Sequence, residues 1–125
     1  MTTPRILAIM GSGETAPTMK APHRMIFDRL GAGRAVDAVL LDTPFGFQEN
    51  APILAAKATE YFRDAVGRDV EVAGLGRTDT GDVVAIEQAV SRIRRAEWVF
   101  AGPGSPTFAL EQWRGTPVPD AIAEK

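Results

Sequence analysis

Residues 11 to 16 read Gly-Ser-Gly-Glu-Thr-Ala, the GxGxxA spacing of a dinucleotide-binding turn. In such a turn the glycines let backbone approach a pyrophosphate, and a helix amino terminus faces the charge. The neighbouring residues oppose that chemistry. Pro17 and Pro22 follow within ten residues of Gly13. Each lacks an N–H donor and restricts the residue before it, so no helix can run through Glu14 to Ala21. Glu14 would also set a negative charge beside any phosphate. Asp42, at the end of a later apolar run, stands where a ribose-binding acid is expected, but an Asp before Thr43-Pro44 caps a turn equally well. Nucleotide binding is thus the weakest reading. Gly11, Ser12, Gly13 and Glu14 read instead as an extended loop lining a pocket.

Two further stretches have the same character. "AGPGSPT", residues 101 to 107, leaves an apolar run through a glycine-rich turn, and "TPFGFQEN", residues 43 to 50, carries Phe45 and Phe47 among polar residues. Thr43, Phe45 and Phe47 either wall a substrate pocket or, for the two rings, cover the top of the neighbouring helix. Other chemistries are closed. The chain has no cysteine and a single histidine, His23, so thiolate sites and cysteine nucleophiles are excluded, and a metal site would need carboxylates almost alone. We expect no metal and no cofactor. A net charge of −2 over 125 residues gives no field for nucleic acid. With no apolar run long enough to span a bilayer and no leader-like apolar core behind Met-Thr-Thr-Pro-Arg, no membrane partner is expected and the cytoplasm is the expected compartment.

The elements that must position these loops follow from hydrophobic period. Arg5–Met10 and Ala35–Asp42 are near-continuous apolar runs, as expected of parallel strands covered on both faces. Glu97–Ala101 is a third such run, whereas Asp69–Ala73 alternates and suits an exposed edge. Helical spacing runs from an Asn50 cap with Pro52 in the first turn to Gly67, and again from Asp82 to Ala96, where Arg92, Arg94 and Arg95 complement the helix dipole. A shorter helix runs from near Pro22 to Gly31 and carries His23 as a packed or half-exposed side chain rather than a general base. Ser105-Pro106 opens another, and "VPDAIAEK" barely starts one after Pro119. Strand and helix alternate, which predicts an α/β domain spanning residues 1–125, with helices on both sides of a parallel sheet and strand order 3-2-1-4. The chain then reverses direction between the first and fourth strands, and the loops leaving both should border one crevice.

The segment "VFAGPGSPTFALEQW" resembles the glycine-rich strand-to-helix turn of the dipeptidase E and cyanophycinase family of serine peptidases. "LLDTPFGFQENAP" and the order of elements from Arg5 to Trp113 are similar to the first half of that fold. The resemblance implies a three-layer α/β/α, flavodoxin-like fold of the class I glutamine amidotransferase-like superfamily, and cleavage of peptide or isopeptide-like amides through an acyl-enzyme. Gly102, Gly104 and Thr107 match the family's oxyanion turn, while Pro103, Ser105 and Pro106 depart from it. The resemblance makes the Gly104 N–H the first backbone donor, with Ser105 as a second candidate, and gives Gly102 and the loops at Gly11–Glu14 and Thr43–Phe47 to a small peptide-like substrate. Ser12, Ser91 and Ser105 lie outside any GxSxG elbow. The nucleophile is therefore expected beyond Lys125, with these residues as the amino-terminal half of a longer hydrolase-like domain. A fourth strand left without its next neighbour would then self-associate through Trp98–Ala101. The alternative class is a non-catalytic α/β binding or assembly module.

Overall fold

Ala38-Val39-Leu40-Leu41, four consecutive buried residues, form the central strand β1 of the computed structural model, which describes residues 5–125. Strands β2 (Glu71–Val72) and β3 (Trp98–Ala101) lie parallel to it on either side, giving the order β2-β1-β3. Val39 is level with Glu71 in one pairing, and Ala38 with Trp98 in the other. Helices α1 (Lys20–Gly31), α2 (Ala51–Tyr61), α3 (Val83–Arg95), α4 (Pro106–Trp113) and α5 (Val118–Ala123) complete a mixed α/β chain.

The sheet is buried on both faces because side chains alternate along β1. Ala38 and Leu40 pack with Phe27 of α1 and with Phe62 and Val66 beyond α2. Val39 and Leu41 pack with Ala89, Val90 and Ile93 of α3 and with Val118 and Ala121 of α5. The second strand pattern, the edge strand and the predicted helices are all present. Asp82 caps α3 by accepting from Ala85 N at 3.0 Å, and Ser105 caps α4 by accepting from Phe108 N at 3.0 Å. Arg92 at the end of α3 donates to Ala73 O and pairs with Glu71. Among the described residues no helix is long and apolar enough to cross a membrane.

Three local expectations are corrected. Asn50 makes no side-chain cap, and α2 continues into a wider π turn at Phe62–Val66 before Gly67, in the left-handed region at φ 81°, ends it. Pro119 lies inside the first turn of the six-residue helix α5 rather than before a bare helical start. The largest correction concerns Arg5–Met10, which forms no strand. Leu7 is 85% and Ile9 90% exposed. The expected order 3-2-1-4 has lost its central member, because the strand from the fourth pattern pairs directly with β1. That ladder runs over all four residues of each strand, and the Asp37 carbonyl accepts from both Glu97 N and Trp98 N at its start. The edge of β1 that the first segment needs is therefore taken.

Candidate functional site

Among the described residues β3 is paired on one side only, and a parallel ladder sends alternate residues' backbone groups to opposite sides. Trp98 N donates toward β1, so the N–H and C=O of Val99 and Ala101 point away from it. They open onto a cavity of about 810 Å³. One wall is Trp98–Pro103 with Trp113, and the facing wall is Ile6, Met10, Gly11, Ser12 and Glu14. Two glycine-rich loops thus meet at one cavity, as expected, although by a different route. Arg5–Ala8 and Met10 line this cavity together with β3 instead of running inside the sheet, and no strand-order reversal creates the crevice.

Charge in the lining is nearly all committed to the chain itself. Arg5 donates from Nε to Lys125 O at 2.7 Å and from Nη2 to Ala123 O at 3.3 Å. Lys125 Nζ donates to Arg94 O and Ala96 O, and burial pulls its ammonium below the usual lysine value. Glu97 accepts two hydrogen bonds from Arg34, at 2.9 and 2.6 Å, and these hold its carboxyl below the usual range. The Glu14 carboxylate has no ion-pair partner among the described residues. An apolar cavity with one uncompensated acid among its lining residues suits a ligand that is mostly apolar and carries one cation.

The Gly11–Ala16 loop is held from beneath by its carbonyls. His23, fully buried in α1, approaches Glu14 O with Nε2 at 2.7 Å, and Tyr61 OH donates to Ala16 O at 2.8 Å. Burial raises the Tyr61 phenol above its ordinary value, which keeps it a donor at neutral pH. Gly13, at φ 86°, closes the turn by accepting from Ala16 N at 2.8 Å. Its glycine is required there, since a side chain rarely adopts this backbone region. A dinucleotide turn would need the helix to start at Gly13; α1 starts at Lys20. Asp42 is occupied as well, accepting from Leu75 N at 3.0 Å.

The expected site residues divide sharply. Gly11, Ser12, Glu14 and Gly102 line the cavity, whereas Gly13, Thr43, Phe45, Phe47, Gly104 and Ser105 stand outside its lining. Thr43 is buried, with Oγ1 donating to Leu75 O at 2.5 Å and accepting from Trp113 Nε1 at 2.9 Å, so both its hydrogen-bonding directions tie loops together. Phe45 is core, lying under Gly102, where an added Cβ would meet its ring at 3.0 Å. Phe47 lies 5.4 Å from Phe108 of α4, and the Arg77 guanidinium covers that second ring at 5.8 Å. Neither phenylalanine walls the cavity, and Phe47 covers α4 rather than the helix that follows it. Ser105 N donates to Pro44 O at 2.7 Å, which withdraws the second oxyanion candidate and leaves Gly104 N–H as the first.

His23 and Tyr61 were not expected at the site. His23 reads from sequence as packed or half-exposed, and it is fully buried; what spacing cannot give is the carbonyl opposite its ring. Trp113 at the end of α4 and Lys125 just after α5 also belong to the lining. No family model, curated protein or solved structure matches this chain.

Proposed function

We propose that this chain is the substrate-cradling part of a serine hydrolase resembling dipeptidase E and cyanophycinase, acting on peptide or isopeptide-like amides. In that proposal the fold is a flavodoxin-like, three-layer α/β/α arrangement and the nucleophile follows Lys125. The supporting observation is the meeting of Gly11, Ser12 and Glu14 with Gly102 and Pro103 at one cavity along the free edge of β3. An extended peptide laid there finds backbone partners at Val99 and Ala101 and apolar surface at Trp98 and Phe100, the usual mode of strand addition. The test is hydrolysis of short peptides by the protein isolated from its source cell. Activity abolished by a serine-directed reagent supports the proposal; no hydrolysis, with saturable peptide binding, favours the second one.

That second proposal is a non-catalytic peptide-binding or assembly module, and the occupied Ser105 N–H favours it. Both share the cavity, so both predict a role for Glu14. Replacing Glu14 with Gln should weaken a lysine-bearing apolar peptide about tenfold in calorimetric titration, the scale of one charge-assisted hydrogen bond. The same peptide with norleucine in place of lysine should bind both proteins alike. Equal affinity of wild type and variant for the lysine peptide would remove Glu14 from the site.

The free edge also bears on association. Val99 and Ala101 can pair with a second copy of the chain, and sedimentation should show dimer forming as concentration rises. A monomer at every concentration would reject this contact.

A further inference from the structure

We propose that His23 and Tyr61 form a two-point clamp that fixes the Gly11–Ala16 loop over the cavity, making both of them positioning residues for Ser12 and Glu14. The His23 imidazole sits among the rings of Tyr61, Phe62, Trp98 and Phe100, with centroids 5.0 to 6.2 Å away, and is fully buried. Nδ1 has no hydrogen-bond partner among the described residues. The atom facing Nε2 is a carbonyl oxygen, which can only accept, so Nε2 carries the hydrogen and Nδ1 is a bare lone pair in apolar surroundings. A buried acceptor without a donor is unfavourable. A phenylalanine would suit this aromatic nest better by packing alone, so the feature that distinguishes histidine here is the Nε2–H it directs at Glu14 O.

Tyr61 repeats the device from another helix. Its ring packs against Phe62 at 5.4 Å, and its hydroxyl reaches Ala16 O, two residues along the loop from the His23 contact. Two donors from α1 and α2 therefore grip carbonyls on either side of Thr15. The Gly11–Ala16 loop carries a left-handed glycine, Gly13, just before the first gripped carbonyl, and no regular backbone ladder. Pinning both carbonyls sets the backbone at Glu14, one of the residues that line the cavity.

The measurement is amide exchange at Ala16, whose N–H closes the turn on Gly13 O, made alongside thermal melting. His23→Phe keeps the ring and deletes the donor; it should melt within about 5 °C of wild type while Ala16 exchanges about tenfold faster, the equivalent of one lost hydrogen bond. His23→Gln restores an N–H near the same place and should return exchange toward wild type. Tyr61→Phe deletes the other donor and should accelerate Ala16 independently, which keeps the test decisive even where His23→Phe fails to fold. Unchanged Ala16 exchange in Tyr61→Phe and in a folded His23→Phe overturns the clamp. Its effect on ligands rests on the cavity being the binding site: the lysine peptide should bind His23→Phe more weakly and His23→Gln as wild type. Loss of exchange protection with no peptide binding by any form would uphold the clamp and reject the binding proposal.

Discussion

Replacing Gly104 with alanine should destabilise the chain by about 3 kcal/mol or more, the combined scale of a strained backbone and an overpacked contact. Gly104 has φ 146°, a region L side chains rarely adopt. An added Cβ would also fall inside the contact radius of the Pro44 carbonyl oxygen and 2.8 Å from Phe45 N. Both obstacles are backbone, so no rotamer change relieves them. Relief requires parting the 102–106 turn from the Thr43–Phe45 turn, which breaks the bond from Ser105 N to Pro44 O and disturbs the start of α4. Urea denaturation gives the number. Gly102→Ala should cost much less, because its Cβ meets side chains alone, the Phe45 ring at 3.0 Å and Leu40 at 3.8 Å, and Gly11→Ala, with nothing within 4 Å and no φ in the left-handed range, should be close to neutral. Gly104→Ala within about 1 kcal/mol of wild type would show that the two turns do not touch as described. Alanine keeps the N–H, so this variant probes the placement of the donor, whereas its chemistry must be tested on substrate turnover.

The same pair of turns shows what could be read from the residues and what could not. α3 was legible because Asp82 caps it, one apolar stripe runs along it and arginines end it; each signal is local. β1 was legible because four apolar residues in a row suit a strand covered on both faces. Partner choice was not legible. Arg5–Met10 and Glu97–Ala101 are both apolar runs that suit β1's edge, and the structure decides between them through Asp37 O and a register set across some sixty residues. Thr43 illustrates the limit for sites. A threonine after a strand reads equally as a substrate hydroxyl or a tie between loops, and only Leu75 and Trp113, which are 32 and 70 residues away, settle the matter. Phe45 and Phe47 differ for a nearer reason, since the turn over Thr43–Phe45 buries the first ring and leaves the second half exposed. Strand order leads one to expect Gly11–Glu14 beside Gly102; Gly11, Ser12 and Glu14 do share a cavity with Gly102, but Arg5–Met10 forms no strand, so strand order is not what brings them together.

Phe62→Ala should be the most damaging truncation in the core, costing roughly 3–5 kcal/mol, a large share of the roughly 5–15 kcal/mol that stabilises a domain. The ring is fully buried and is met edge-on by His23 and Trp98 at 5.0 Å, Phe100 at 5.1 Å and Tyr61 at 5.4 Å. Its place in the chain makes collapse difficult. Phe62 opens the π turn that ends α2, so the backbone beneath it is fixed by the left-handed Gly67 on one side and the helix on the other. The void would lie against His23 of α1 and against Trp98 and Phe100 of β3, two residues that also line the cavity. Phe62→Leu keeps most of the volume and should cost under about 1.5 kcal/mol, the range of size-conserving swaps, while Phe47→Ala, on a half-exposed ring, should cost far less than Phe62→Ala. Because Trp98 and Phe100 serve both the core and the cavity wall, Phe62→Ala should also weaken peptide binding under conditions where it remains folded, and Phe62→Leu should spare it. A Phe62→Ala cost no larger than that of Phe47→Ala would mean that these rings do not form one cluster. Peptide affinity unchanged in a folded Phe62→Ala would mean that the wall is held from the sheet alone, with α2 and its terminal turn contributing stability but not the shape of the site.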